Sequence, residues 1–275
     1  HLATPPQSHH PLALEALRAG KHVLCEKPLA TRLADADELL AEAARAGRIC
    51  PVNFVLRYNP VTDAVKAIVD AGLLGRPIHG SLENFAGDER LGPDHWFWNR
   101  DISGGIFIEH AVHFFDLYAH WFGPGEVIAA HAETRPHSTA EDRVMCITRH
   151  GNGVTVHHYH GFDQPDRLDR QSHHLLFERG DLYVYGWIPE ALTLDAIVDD
   201  DQAAALARVC PGADFEVLDR YSGERRHCRG RWQDYHVTRR LRLTWDGGAD
   251  KDTLYRRGVA DLMAEVEFKV FAGPA

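Results

Sequence analysis

The chain is expected to combine an α/β unit with an α+β unit: the C-terminal part of a doubly wound parallel sheet, then a domain with a large, mainly antiparallel open β-sheet. Three observations lead there. Residues 2–54 alternate short apolar runs with amphipathic helical runs across short connections, the pattern of a parallel sheet with covering helices. From Pro77 the texture changes to consecutive short runs rich in β-formers, several with period-two alternation and separated by turn signals, as in hairpin-linked strands. Helical stretches at 105–121 and 251–271 interrupt and follow these runs. The units are set at residues 1–58 and 59–275, with the C-terminal helix placed to pack back on the first.

Taken in order, Leu2-Ala3-Thr4 ends a strand and Pro5-Pro6 breaks it. A helix over 11–19 has apolar residues at three- and four-residue spacing and stops at Gly20. Residues 22–25 form a short strand that ends in Cys25-Glu26-Lys27-Pro28. Thr31 is read as the N-cap of a second helix, 32–46, closed by Gly47, before a strand over 49–54. After Pro60 a helix spans 61–71. Strands are then expected at 78–85, 126–134, 142–149, 153–160, 172–178 and 182–185, with turns at Gly151-Asn152-Gly153 and Arg179-Gly180-Asp181. The acidic run Asp199-Asp200-Asp201 is read as a solvated turn.

Composition narrows the function classes. The 275 residues carry 40 Asp plus Glu against 30 Lys plus Arg, a formal charge of -10, which disfavours nucleic acid and anionic membranes as partners. No apolar run approaches the roughly 18 residues needed to span a bilayer, and the first residues lack a signal-peptide pattern, so a cytoplasmic location is expected. Five widely spaced cysteines without a Cys-x-x-Cys pair give neither a disulfide framework nor a zinc ribbon.

The most informative segment is Glu26-Lys27-Pro28. It places a lysine and a carboxylate at the carboxyl end of a strand, where α/β folds bind ligands, and Pro28 restricts the backbone of Lys27. A second cluster, Glu109, His113 and Asp116, lies on the expected helix after Gly104-Gly105. Glu109 and His113, four residues apart, fall on one face, where a carboxylate can orient an imidazole as a general base.

Several ordered motifs carry a family resemblance. Thr4-Pro5-Pro6 with His9, Ala19-Gly20-Lys21-His22-Val23 with Glu26-Lys27-Pro28-Leu29-Ala30, Arg57-Tyr58-Asn59-Pro60, and Ser103-Gly104-Gly105 followed by Glu109 through Leu117 resemble the Gfo/Idh/MocA oxidoreductase family. Its members include glucose-fructose oxidoreductase and inositol dehydrogenase. The likeness covers most of 2–125 and continues weakly beyond.

The resemblance implies a Rossmann domain binding NAD or NADP and hydride transfer between the nicotinamide and a carbinol carbon of a sugar, polyol or related small molecule. Lys27, His113 and Glu109 would be catalytic: Lys27 contacts the hydroxyl and the nicotinamide ribose, and His113 takes the hydroxyl proton. Thr4, Pro5, His9, Glu26, Lys27, Pro28 and Asn53 would line the cofactor. Arg57, Tyr58, Trp98, Asn99 and His113 would contact substrate, Trp98 and Asn99 being preferred in the aromatic run His95-Trp96-Phe97-Trp98-Asn99-Arg100. Glu109 replaces the usual Asp and Ala111 a usual Gly, which puts substrate geometry in question. Homo-oligomerisation through the open face of the second-domain sheet is also implied.

No Gly-x-Gly-x-x-Gly turn occurs in the chain. Because 2–4 matches a later strand of the fold, about 60–80 residues are expected to be missing ahead of it, a fragment being favoured over true loss. These 275 residues alone are therefore expected to bind either cofactor weakly, with an unpaired sheet edge. Two other readings stay open: a non-catalytic sensor or interaction protein on the same fold, and a metal site. His158 and His160 share a strand face and His110 and His113 form an i, i+3 pair, but without HExxH or a facial triad no metal ligand is assigned.

Overall fold

The N-terminal segment forms three short extended stretches in parallel register. In the computed structural model, which describes residues 1–88, 90–151, 153–165 and 167–272, Leu2 bridges Cys25 and Cys25 bridges Val52, both parallel. Main-chain bonds from Leu2 N to Leu24 O, Glu26 N to Leu2 O and Asn53 N to Cys25 O, each 2.8 Å, hold the register. The connecting helices are α1 (His9–Arg18) and α2 (Leu33–Ala46). Ala13, Leu14, Leu17, Leu39 and Ala43 bury their apolar stripes against Val23 and Cys25 in one small core. Gly47 closes α2 at φ 61°, a left-handed turn that favours glycine. The N-cap is Arg32 rather than Thr31, and it makes no side-chain cap.

Asn59 caps α3 (Pro60–Asp70), its side-chain oxygen accepting from Val61 N at 2.8 Å, with Pro60 suited to the first helical turn. Strand β1 (Pro77–Phe85) follows, then three helical pieces: α4 (Arg100–Ser103), α5 (Ile106–Glu109) and α6 (Val112–Phe122). The stretch expected as one helix over 105–121 is thus broken at His110 and Ala111. Strands β2 (Gly125–Thr134), β3 (Glu141–His150), β4 (Thr155–Gly161), β5 (Arg170–Phe177) and β6 (Gly180–Tyr185) match the expected runs within a few residues. Asn152, in the turn expected between β3 and β4, lies outside the described residues.

The remainder was not visible in the sequence: β7 (Ala191–Val198), α7 (Asp200–Val209), β8 (Asp214–Arg220), a small hairpin of β9 (His227–Arg229) and β10 (Asp234–His236), and β11 (Arg239–Trp245). The acidic run is corrected here. Asp199 caps α7, accepting from Gln202 N at 2.8 Å while Gln202 Oε1 accepts from Asp199 N, so Asp200 and Asp201 occupy the first helical turn, where the dipole favours negative charge.

The large sheet has the order β2-β3-β4-β1-β5-β6-β7-β11-β8, antiparallel throughout except for the parallel pair β1 and β4. That pair follows from connectivity. Helix α6 carries the chain from β1 to the edge strand β2, and the meander β2-β3-β4 returns β4 beside β1 in the same direction. Phe114, Leu117, Tyr118, Trp121 and Phe122 of α6 pack on Leu82, Val156, Leu175 and Leu182 from the sheet. The other face leaves Leu176 and Tyr185 exposed, while Val127 of β2 and Phe215 and Val217 of β8 are exposed edge-strand residues on the helix-covered side. The last helix, α8 (Lys251–Ala272), lies on the turn 55–58; a Cβ at Gly258 would sit 2.7 Å from Tyr58 O, so only glycine permits this approach. Among the described residues, no helix is long and apolar enough to cross a membrane.

Candidate active site

The central relationship joins residues 82 positions apart in the chain. Lys27, at the strand end, donates from Nζ to Glu109 O at 2.8 Å and pairs with Glu109 Oε1, and both side chains are largely buried. Glu109 is held for this at the end of α5, which Gly104 and Gly105 launch at φ 86° and 89°. A Cβ at Gly104 would come within 2.8 Å of Ile108, so the tight entry requires glycine.

The Lys27–Pro28 peptide is cis. Beneath it, His9 is fully buried with Nδ1 2.7 Å from Pro28 O and Nε2 2.7 Å from Thr4 O. His9 therefore braces two strand-end turns, and both its ring nitrogens are committed to the main chain. Neither ring nitrogen is left open here for the cofactor contact expected of His9. Thr4 Oγ1 pairs with Ser8 Oγ at 2.6 Å, and Pro5 precedes a short 3-10 turn. Glu26 accepts from Asn53 Nδ2 at 2.8 Å, which leaves the buried Oδ1 of Asn53 without a partner.

His113 sits near the start of α6, buried, with Phe54 and Trp187 edge-on to its ring at 6.4 and 5.1 Å. Nδ1 has no partner. Burial, then the Lys27 ammonium, then His110 hold its pKa well below the usual imidazole value, so it is neutral at physiological pH. Among the described residues no hydrogen bond joins it to Glu109. The expected i, i+4 pairing fails because the helix is interrupted between them, and Lys27 takes the carboxylate instead.

A cavity of about 650 Å³ opens over this constellation. Lys27, Glu109 and His110 form one wall, Asn84 and Gln171 of the sheet another, and Trp187 separates the cavity from His113. The first turn of α8 contributes Lys251, Asp252 and Tyr255. A second concavity, about 460 Å³, lies on the uncovered sheet face around Ser81, Ala130, Met145 and His157 and includes none of Lys27, Glu109 or His113.

Four expected substrate residues point elsewhere. Arg57 is spent on Asp116, with contacts of 2.7 and 2.5 Å, and Tyr58 donates to Glu265 of α8 at 2.6 Å. Trp98 is buried with Ile106, Val144 and Phe162 and covered by Arg135 at 3.9 Å, while Asn99 is an exposed cap of α4. The same aromatic run does reach the cavity, through His95, Trp96 and Phe97. Asn84, Gln171 and Trp187 were not singled out, and His110 entered only in the metal reading. Asn84 carried a legible signal, an amide in an inward register next to Leu82; Trp187 carried none.

His158 bonds Thr148 Oγ1 at 3.2 Å and His160 packs among Phe114, Phe115 and His110. Among the described residues no group of three or more His, Cys, Asp or Glu could hold a metal ion. Burial pushes the Cys25 thiol up to about 12, which leaves no nucleophile there.

Comparison with known proteins gives two ordered matches. Residues 1–54 match the oxidoreductase family with an NAD-binding Rossmann fold, and residues 62–183 match the GFO/IDH/MocA C-terminal domain. The chain is 32% identical over 168 residues to 1,5-anhydro-D-fructose reductase of Ensifer adhaerens, covering 59% of this chain and 50% of the relative. It is 30% identical over 122 residues to scyllo-inositol 2-dehydrogenase (NAD(+)) of Bacillus subtilis, covering 44% and 34%. The WlbA dehydrogenase of Bordetella pertussis, solved with NADH and UDP-GlcNAcA, superposes with a TM-score of 0.62 at 30% identity, over 67% of this chain and 54% of that one. Levoglucosan dehydrogenase, at 21% identity and a TM-score of 0.65, shares the fold. The chain spans about half the length, or less, of the curated relatives it matches. With the two halves of one family found in order, and with Lys27 and Glu109 joined at their junction, this chain belongs to the Gfo/Idh/MocA oxidoreductase family.

Proposed function

We propose that the protein is an NAD- or NADP-dependent oxidoreductase that moves a hydride between the nicotinamide and a carbinol carbon of a sugar or polyol. The observation that carries this reading is the pairing of Lys27 and Glu109 in the wall of one cavity, with a neutral His113 close to the Lys27 charge and behind Trp187. A neutral imidazole can accept the hydroxyl proton as the carbon gives up hydride, and the Lys27 ammonium lies where it can stabilise the alkoxide that forms. Glu109 aims the Lys27 side chain through its carboxylate and its main-chain carbonyl.

The residues present fit the cofactor's nicotinamide end. The unpartnered, buried Oδ1 of Asn53 beside Glu26 is an acceptor suited to a carboxamide N–H. When bound, the cofactor supplies the hydride acceptor or donor.

In the intact protein supplied with cofactor, Lys27→Met and His113→Ala should each lower kcat by about 10²–10⁴. Unchanged function in both variants would move the reading to a sensor on the same fold. Units of 1–58 and 59–275 remain our division of the chain. The uncovered sheet face, with Leu176 and Tyr185 exposed and its 460 Å³ concavity, is the surface we assign to homo-oligomerisation, checked by solution mass with Leu176→Glu. Five unpaired cysteines accord with a reducing, cytoplasmic setting.

A further inference from the structure

Asn84 is fully buried on β1, yet neither its Oδ1 nor its Nδ2 has a partner. A buried amide is almost always satisfied, so an orphan of this kind in a cavity wall marks a place for a ligand group. Gln171, directly across on β5, lines the same cavity. His110 faces it from the break between α5 and α6, and its Nε2 is likewise buried and unpartnered. Burial and the Lys27 charge lower the His110 pKa to about 3, so the ring offers one N–H donor and one bare nitrogen at neutral pH. An amide offering an oxygen acceptor and an N–H donor side by side matches two neighbouring hydroxyls.

The charges around the cavity select further. Asp88, Glu109, Asp169 and Asp252 stand against Lys27 and Lys251, and Lys27 is committed to Glu109. Among the described lining residues there is no arginine, the side chain best shaped to fork a phosphate or carboxylate. An anionic substituent would meet excess negative charge and no fork. Trp96, Phe97, Trp187 and Tyr255 offer apolar faces for a sugar ring.

We propose that Asn84 and His110 read hydroxyl groups of an uncharged sugar or polyol, and that the cavity rejects phosphorylated and carboxylated counterparts. This rests on the oxidoreductase reading for its substrate class, but its test is binding and does not need turnover.

The experiment measures calorimetric affinity and thermal protection of the intact protein, with reduced cofactor present. The probes are neutral sugars and polyols, their single-deoxy analogues, and matched sugar 6-phosphates and uronates. Wild type should bind a neutral ligand at least 100-fold more tightly than its anionic counterpart. Asn84→Leu keeps the volume and removes two orphan polar atoms. It should leave the ligand-free Tm unchanged or higher, weaken the neutral ligand at least tenfold, and bind the deoxy analogue that lacks the read hydroxyl as wild type does. His110→Phe should give the same pattern with a different deoxy analogue, and it serves where the Leu variant does not fold.

A fall in Tm with sugar affinity unchanged would assign Asn84 a structural role and overturn the proposal. So would anionic ligands bound as tightly as neutral ones, or no neutral ligand bound at all. If sugars bind as described but are never oxidised or reduced, the oxidoreductase reading fails while this one stands.

Discussion

Lys27 and Glu109, 82 residues apart, share two contacts, one to the carboxylate of Glu109 and one to its own main-chain carbonyl. The second contact fixes the lysine to the backbone of α5, so the ammonium stays placed even if the carboxylate swings toward a ligand. Lys27→Met should strand the Glu109 charge in a largely buried position and cost about 3 kcal/mol. Urea unfolding would check this, and Lys27→Met combined with Glu109→Gln should recover much of the loss. A double variant no more stable than the single one would mean that the pair adds little.

His113 bears on the pH dependence of turnover. A general base works unprotonated, and its pKa is held well below the ordinary imidazole value by burial and by Lys27. The acid limb of kcat/KM should therefore fall well below pH 6.5, with a plateau through neutral pH. An acid limb centred at or above 6.5 would assign the proton to another group.

The buried histidines on, before and beneath α6 bear on stability. His110, His158 and His173 are pushed down to about 3, and His113 and His160 well below the normal value, in each case chiefly by burial. The unfolded chain takes up protons below its own pKa of about 6.5, while the folded chain does not until much lower pH. Stability should thus be full above about pH 7 and decline as pH falls through 6 and 5, the slope approaching about 1.4 kcal/mol per pH unit for each histidine. Urea midpoints at pH 7, 6 and 5 measure it; a flat profile would show that these rings protonate in the folded state.

His9 spans the carbonyls of Thr4 and Pro28. His9→Leu should leave two main-chain acceptors without their partner and cost about 1–3 kcal/mol. Because the brace sits under the Lys27 turn, KM for the cofactor should rise more than KM for the sugar. An equal rise in both would reduce His9 to a general core residue.

Much of this site was legible in the sequence, and the losses have physical causes. Lys27 and Glu109, which the structure places in the cavity wall, and His113 and Asn53 were singled out as candidates because strand ends, glycine pairs and helix spacing are local signals. Their partners are not local: Glu109 was matched to His113 by helical spacing, and a single break at His110 and Ala111 gave it to Lys27. Arg57 and Tyr58 were read as substrate contacts after a strand end, and their partners Asp116 and Glu265 come from distant helices. Strand β11 stayed hidden because Arg239, Arg240 and Arg242 dominate it, although Leu241, Leu243 and Trp245 alternate inward. Asp199 was misread by charge when Gln202, three residues on, already marked a helix start. Trp187 sits in a loop whose place over His113 only the tertiary fold sets.

Helix α8 adds a mechanical consequence. Its first turn supplies Lys251, Asp252 and Tyr255 to the cavity, while Gly258 and Glu265 rest on the turn that follows the Asn53 strand. One rod thus touches both the wall facing the small molecule and the backbone leaving the first unit. The turn after Asn53 and the cavity wall formed by Lys251, Asp252 and Tyr255 are held at a spacing set by one helix.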